Sequence, residues 1–137
     1  MENKIYSING PVVTIKGKTD LEMMEMVYVG NARLVGEVIR MNDKETTIQV
    51  YEETSGLGTG EPVESTGEPL SVELGPGLLT QVYDGLQNPL NKLAEKSGFF
   101  LQRGLYMNAL DYERQWEFTP LAKIGDRLTA GSYIGFC

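Results

Sequence analysis

Leu34-Val35-Gly36-Glu37-Val38-Ile39-Arg40-Met41, Asn42-Asp43-Lys44 and Thr46-Thr47-Ile48-Gln49-Val50-Tyr51 decide the fold. The period is two: Leu34, Gly36, Val38 and Arg40 share one face, and Val35, Glu37 and Ile39 the other. Asn42-Asp43-Lys44 supplies a turn, and Thr46–Tyr51 returns with Ile48 and Val50 on one side. The spacing predicts an antiparallel hairpin over 34–51. Upstream, Lys4–Asn9, Val12–Ile15 and Met26–Val29 read as short strands broken at Gly10-Pro11, Gly17 and Gly30-Asn31. Asp20–Glu25 is ambiguous, because Met23 and Met24 suit a helical patch or a strand entry. Short strands at this rhythm predict a small closed β-barrel.

Beyond the hairpin, Gly56–Gly67 reads as a loop in which Pro62-Val63 is at most a short edge segment. Leu70, Val72 and Leu74 alternate as an inward-facing final strand. After Gly75-Pro76-Gly77 the period changes, and Leu78, Leu79, Val82, Tyr83 and Leu86 fit a helical stripe that Gly85 weakens. A second helix is expected with Asn88 as N-cap, Pro89 at its first position, Leu90, Leu93 and Ala94 buried, and Gly98 as its stop. From Phe99 onward the chain reads as β-like, with two short strands around tight turns in 125–135. The expected fold class is mainly β: an N-terminal barrel, a short helical segment and a partial β-rich region.

Composition limits the chemistry. The 137 residues hold no histidine, which excludes Ser-His-Asp and Cys-His catalysis and His-ligated zinc within this chain. The single cysteine, Cys137, leaves no internal disulfide and no CxxC pair. A net charge of −7 opposes non-specific binding to nucleic acid or anionic membranes. No apolar run reaches the ~18 residues of a membrane span.

Three motifs invite a catalytic reading and fail it. Gly17-Lys18-Thr19 ends like a phosphate loop, but Val12 stands where the first glycine belongs and no clear helix follows. Gly56-Leu57-Gly58-Thr59-Gly60 is followed by Glu61-Pro62 rather than a helix start, and Glu52-Glu53 repel phosphate. Those two carboxylates point to opposite faces of a strand end and cannot converge on one substrate. Tyr112, Trp116 and Phe118 lack a basic surround and read as core or interface anchors.

A longer set of strings then carries a resemblance: Gly36–Arg40, Thr47–Leu57, Gly60–Val63, Thr66–Leu79, Asp84–Gln87 before Pro89-Leu90, Arg103-Gly104, Ala109–Asp111 and Trp116–Pro120. In order, they resemble the catalytic A subunit (alpha chain) of V-type and archaeal-type rotary ATPases. Asn88 and Asn108 depart from the family, which usually has arginine and often proline there. The resemblance implies a crown barrel at 1–68, the beginning of the nucleotide-binding domain with two helices at 69–109, and a partial bulge insertion at 110–137. It implies B subunits as ring neighbours, stator stalk subunits as possible bulge partners, no nucleic acid and no direct membrane insertion. The expected location is cytoplasmic, peripheral to the membrane in the soluble headpiece. The family's phosphate loop, catalytic glutamate and sensing residues lie past Cys137, so the chain is expected to be an N-terminal fragment without catalytic, cofactor-binding or metal residues. Mg-ATP would belong to the full-length parent. The end of the chain also resembles the turns of biotinyl-type barrels but lacks their modification site. The alternative is a free-standing barrel that regulates assembly of such a ring.

Overall fold

In the computed structural model, which describes residues 3–98, 104 and 106–137, the first half forms a closed antiparallel barrel. Its strands are β1 (Asn3–Asn9), β2 (Val12–Lys16), β3 (Glu25–Val29), β4 (Leu34–Met41), β5 (Glu45–Val50) and β6 (Pro62–Pro69). Around the barrel they run β1-β2-β5-β4-β3-β6. Closure leaves no long unpaired edge. The seam between β1 and β6 pairs Asn3 with Val63 and Lys4 with Pro62. It continues through Ile5 N–H donating to the Glu61 carbonyl at 2.9 Å and Gly60 N–H to the Ile5 carbonyl at 2.7 Å.

The interior is built by the period-two faces. Val13, Ile15, Val27, Val29, Leu34, Val38, Ile48 and Val50 are all buried in one cluster, with Ile8, Met41 and Leu57 packed against it. Burial of each such side chain stabilises by about 1.5–3 kcal/mol. Gly36 is small for a reason: a Cβ there would stand 2.8 Å from Ile48 Cγ2 and 2.9 Å from the Gln49 carbonyl. The 34–51 hairpin forms as expected, with one correction. The register shifts between Val38 and Arg40, so Arg40 is exposed instead of sharing Val38's inward face. One extra residue in one strand reverses the side-chain parity beyond it.

Further expectations are corrected. Residues 62–69 form a full strand, β6, that closes the barrel, where 56–67 was expected to be a loop with at most a short edge segment at Pro62-Val63. Only Val63 of β6 is buried, and Glu25 supplies much of what holds it. That carboxylate, itself buried, accepts from Ser65 Oγ at 2.5 Å, Gly67 N–H at 3.0 Å and Glu22 N–H at 2.7 Å.

Residues 70–74 are not a strand, and Leu70, Val72 and Leu74 are exposed. Among the described residues no strand pairs with them; the Gln87 side-chain amide exchanges two 2.7 Å hydrogen bonds with the Glu73 backbone instead. The stripe over 78–86 is not a helix, because Asp84 Oδ1 draws the amides of Leu86 (2.9 Å) and Asn88 (2.8 Å) into a tight turn. Thr80 and Gln87 also adopt positive φ, which a helix excludes.

The helix α1 (Leu90–Ser97) does form and stops at Gly98, whose φ is +65° and whose N–H donates to the Ala94 carbonyl at 2.9 Å. Its N-cap is Pro89, with no side-chain cap. Asn88 is instead buried, donating to Asp84 Oδ2 at 2.9 Å and accepting from Met107 N–H at 3.0 Å. Of the expected apolar stripe Leu93 is buried, Leu90 half-buried and Ala94 exposed. Among the described residues, 69–109 thus carries one helix, where two were expected.

The β-like text from Phe99 begins outside the described residues. In 110–137 the β structure reduces to one two-residue pair, β7 (Thr119–Pro120) with β8 (Gly135–Phe136). Tyr112, Trp116 and Phe118 are exposed there, so they anchor no core among the described residues.

Candidate functional site

The glycine segments are the first places where a ligand could be held, and both are spent internally. Gly17 lies in a turn with φ +93°, and its N–H donates to the Lys44 carbonyl at 2.6 Å. Thr19 Oγ1 sits 3.0 Å from Thr46 Oγ1, so this hydroxyl too has a partner within the barrel. In the 56–60 loop, Leu57 N–H donates to the Thr54 carbonyl, Gly58 N–H to Glu61 Oε1 at 2.7 Å and Gly60 N–H to the Ile5 carbonyl. The loop folds over one end of the barrel, with Leu57 packed on the core. Glu61 Oε2 also accepts from Asn31 N–H at 2.8 Å, which places a carboxylate where an anion would have to sit.

Glu52 and Glu53 lie just after β5 and go to different partners. Glu53 accepts from Ser55 Oγ, and Glu52 Oε2 accepts from Gly104 N–H at 3.0 Å. Among the described residues no group of three His, Cys, Asp or Glu side chains is placed to hold a metal ion.

What the barrel does present is a polar and aromatic outer face around β3 and β4. Arg33 lies 4.3 Å over the Tyr28 ring and pairs with Glu64 on β6. Tyr106 meets the same Tyr28 ring edge to face at 5.9 Å. Burial first, then the nearby charge of Glu52, pushes the Tyr106 hydroxyl above its ordinary range. On the same side, Tyr51 Oη donates to Glu37 Oε2 at 2.6 Å. That bond, with burial, raises the Tyr51 pKa to about 12.

Gly104 approaches so closely that a Cβ would stand 2.2 Å from the Ala32 carbonyl. A crevice of about 170 Å³ lies at this junction, walled by Met26, Tyr28, Leu70, Leu86, Tyr106 and Met107. The arrangement suits adhesion of surfaces: it has aromatic anchors, a charge pair and a shaped crevice. Sequence reasoning missed Tyr28, Arg33 and Tyr106 as a group, since no local spacing links them.

A closed ring of six short antiparallel strands defines a small β-barrel domain. Residues 5–67 match the family model described as ATP synthase alpha/beta family, beta-barrel domain. Over 96% of its length the chain also matches the catalytic A subunits of V-type and A-type ATP synthases at about half identity. It is 53% identical over 133 residues to the catalytic A subunit of the V-type proton ATPase of Neurospora crassa, covering 96% of this chain and 22% of the relative. The A subunit of the A-type ATP synthase of Desulfurococcus sp. strain SY is 52% identical, with 96% and 23% covered. The V-type ATP synthase alpha chain of Clostridium botulinum strain Okra is 49% identical, with 96% and 22% covered. The chain therefore spans about a fifth of the length of these relatives. Among solved structures, the assembled ATPase EscN of the enteropathogenic E. coli type III secretion system aligns with a TM-score of 0.58. That alignment covers 64% of this chain and 21% of EscN at 23% identity, a likeness of fold alone. No helix among the described residues is long and apolar enough to cross a membrane.

Proposed function

We propose that this chain supplies the ring-assembly barrel of the catalytic A subunit of a V-type or archaeal-type rotary ATPase. The parent enzyme couples ATP hydrolysis or synthesis to proton or sodium translocation. The carrying observation is the 53% identity sustained over 96% of the chain, well past the barrel. A free-standing regulatory barrel would share the barrel alone; here the likeness runs over 133 residues while the barrel match ends at 67.

In this reading residues 1–68 join a crown of alternating A and B subunits, and 69–109 begin the nucleotide-binding domain. Residues 110–137 contribute to the bulge, which faces stator stalk subunits. The barrel's role is mechanical: it holds the ring while nucleotide domains open and close. The chain brings no catalytic, cofactor-binding or metal residue of its own, and Mg-ATP belongs to the full-length protein. The internal bonds of the Gly17, Leu57, Gly58 and Gly60 amides support this. The parent sits in the soluble headpiece, peripheral to the membrane on its cytoplasmic side.

The test mixes the purified chain with the B subunit from a relative's ring and follows native mass and ATP turnover. The proposal expects a mixed complex and no magnesium-dependent hydrolysis by the chain alone above buffer. Turnover by the chain, or a B subunit that stays unbound at excess, overturns it.

A further inference from the structure

On the side of the barrel formed by β1 and β2, Lys4, Tyr6, Lys16 and Lys18 line a single groove with Ile5 and Ile15. We propose that this groove is a docking seat for an extended, carboxylate-rich segment of a partner protein. The local charge is opposite to that of the chain. Residues 1–18 contain three lysines against one carboxylate, Glu2, within a chain of net charge −7. Lys4, Tyr6, Lys16 and Lys18 are all exposed on this face. Lys16 Nζ lies 4.8 Å over the Tyr6 ring, which sets the ammonium on an aromatic shelf. Two acidic groups border it: Glu45 stands across from Lys16 in the β2–β5 register, and Asp20 accepts from Asn3 Nδ2 at 2.7 Å.

The chemistry selects among anions. A compact phosphate is held best where lysine charge is joined by converging amides or a guanidinium fork, and the nearest turn amide, Gly17, is already bonded to Lys44. Lysines are separate point charges on long stems, so spaced carboxylates along an extended backbone suit them one at a time. The Tyr6 ring, 56% exposed, would be covered by the same segment. This seat lies on β1 and β2, whereas the Tyr28–Tyr106 junction uses β3, and it does not depend on the ring reading.

The experiment titrates the isotope-labelled full chain with a hexaglutamate peptide at low ionic strength and follows amide chemical shifts. Saturable shifts centred on Tyr6, Lys16 and Lys18 are expected, fading as salt screens the charges. The double variant Lys16→Glu/Lys18→Glu should weaken binding by about tenfold, while Lys96→Glu leaves it unchanged. Lys16→Gln/Lys18→Gln, with an unchanged melting midpoint, separates lost charge from lost folding. Shifts elsewhere, or wild-type binding by the glutamine double variant, overturn the proposal. So does a short single-stranded oligonucleotide that occupies the groove at lower concentration than the peptide, which would mark a nucleic-acid surface.

Discussion

The rings of Tyr28 and Tyr106 meet edge to face, 5.9 Å apart with planes at 79°, and this contact ties the chain beyond the barrel to the barrel's outer wall. Glu52 accepting from Gly104 and the close approach of Gly104 to Ala32 reinforce the same junction. The barrel core has no part in it, since Tyr28 points away from the cluster that Val27 and Val29 join.

Replacing Tyr106 with Ala should therefore loosen the junction and spare the barrel. An edge-to-face pair contributes about 0.5–1.5 kcal/mol beyond burial. Amide exchange at 106–109 should accelerate in Tyr106→Ala, with exchange in β2, β4 and β5 unchanged. Equal acceleration in the barrel strands would show that the two parts unfold together.

Gly36→Ala tests the interior. The added methyl meets Ile48 Cγ2 at 2.8 Å and the Gln49 carbonyl at 2.9 Å, neither of which is the end of a long flexible side chain. Overpacking of this kind should cost about 1–3 kcal/mol, read as a lower denaturant midpoint at constant slope. Gly85 has nothing within 4 Å of its Cβ position and no positive φ, so Gly85→Ala should leave the midpoint unchanged or slightly raised.

Glu25 gives the barrel a pH dependence with a definite sign. Burial raises its pKa, but hydrogen bonds from Ser65 and from the Glu22, Gly67 and Thr66 backbone outweigh burial and hold it below 4.5. The folded value lies below the unfolded one, so this contribution is complete above the unfolded value of 4.5 and drains as pH falls through the folded value. Glu25→Gln should cost about 1–3 kcal/mol at neutral pH and flatten the acid limb of the stability profile. An acid limb as steep as wild type would assign the loss to other carboxylates.

The barrel was legible where burial and alternation coincide, above all in Leu34–Tyr51. It was illegible at β6, where Ser65, Thr66, Gly67 and Glu68 are held by backbone pairing and the Glu25 carboxylate rather than by an apolar face. Downstream, apolar spacing misled in both directions. Leu70, Val72 and Leu74 alternate yet stay exposed and pair with no described strand, and the 78–86 stripe loses to the Asp84 turn. The histidine-dependent and disulfide chemistries were excluded by residue types alone. The Arg33–Tyr28–Tyr106 stack was hidden, because only tertiary folding brings its members together.

Whether this is a working ring barrel of the catalytic A subunit is tested most directly by transplantation. Residues 5–67 would replace the corresponding barrel in the full-length Neurospora crassa relative, and assembly and ATP-driven proton transport of the purified complex would be measured. An assembled enzyme that retains transport is expected. A chimera that folds and binds nucleotide natively, yet never enters the ring, would contradict the proposed role.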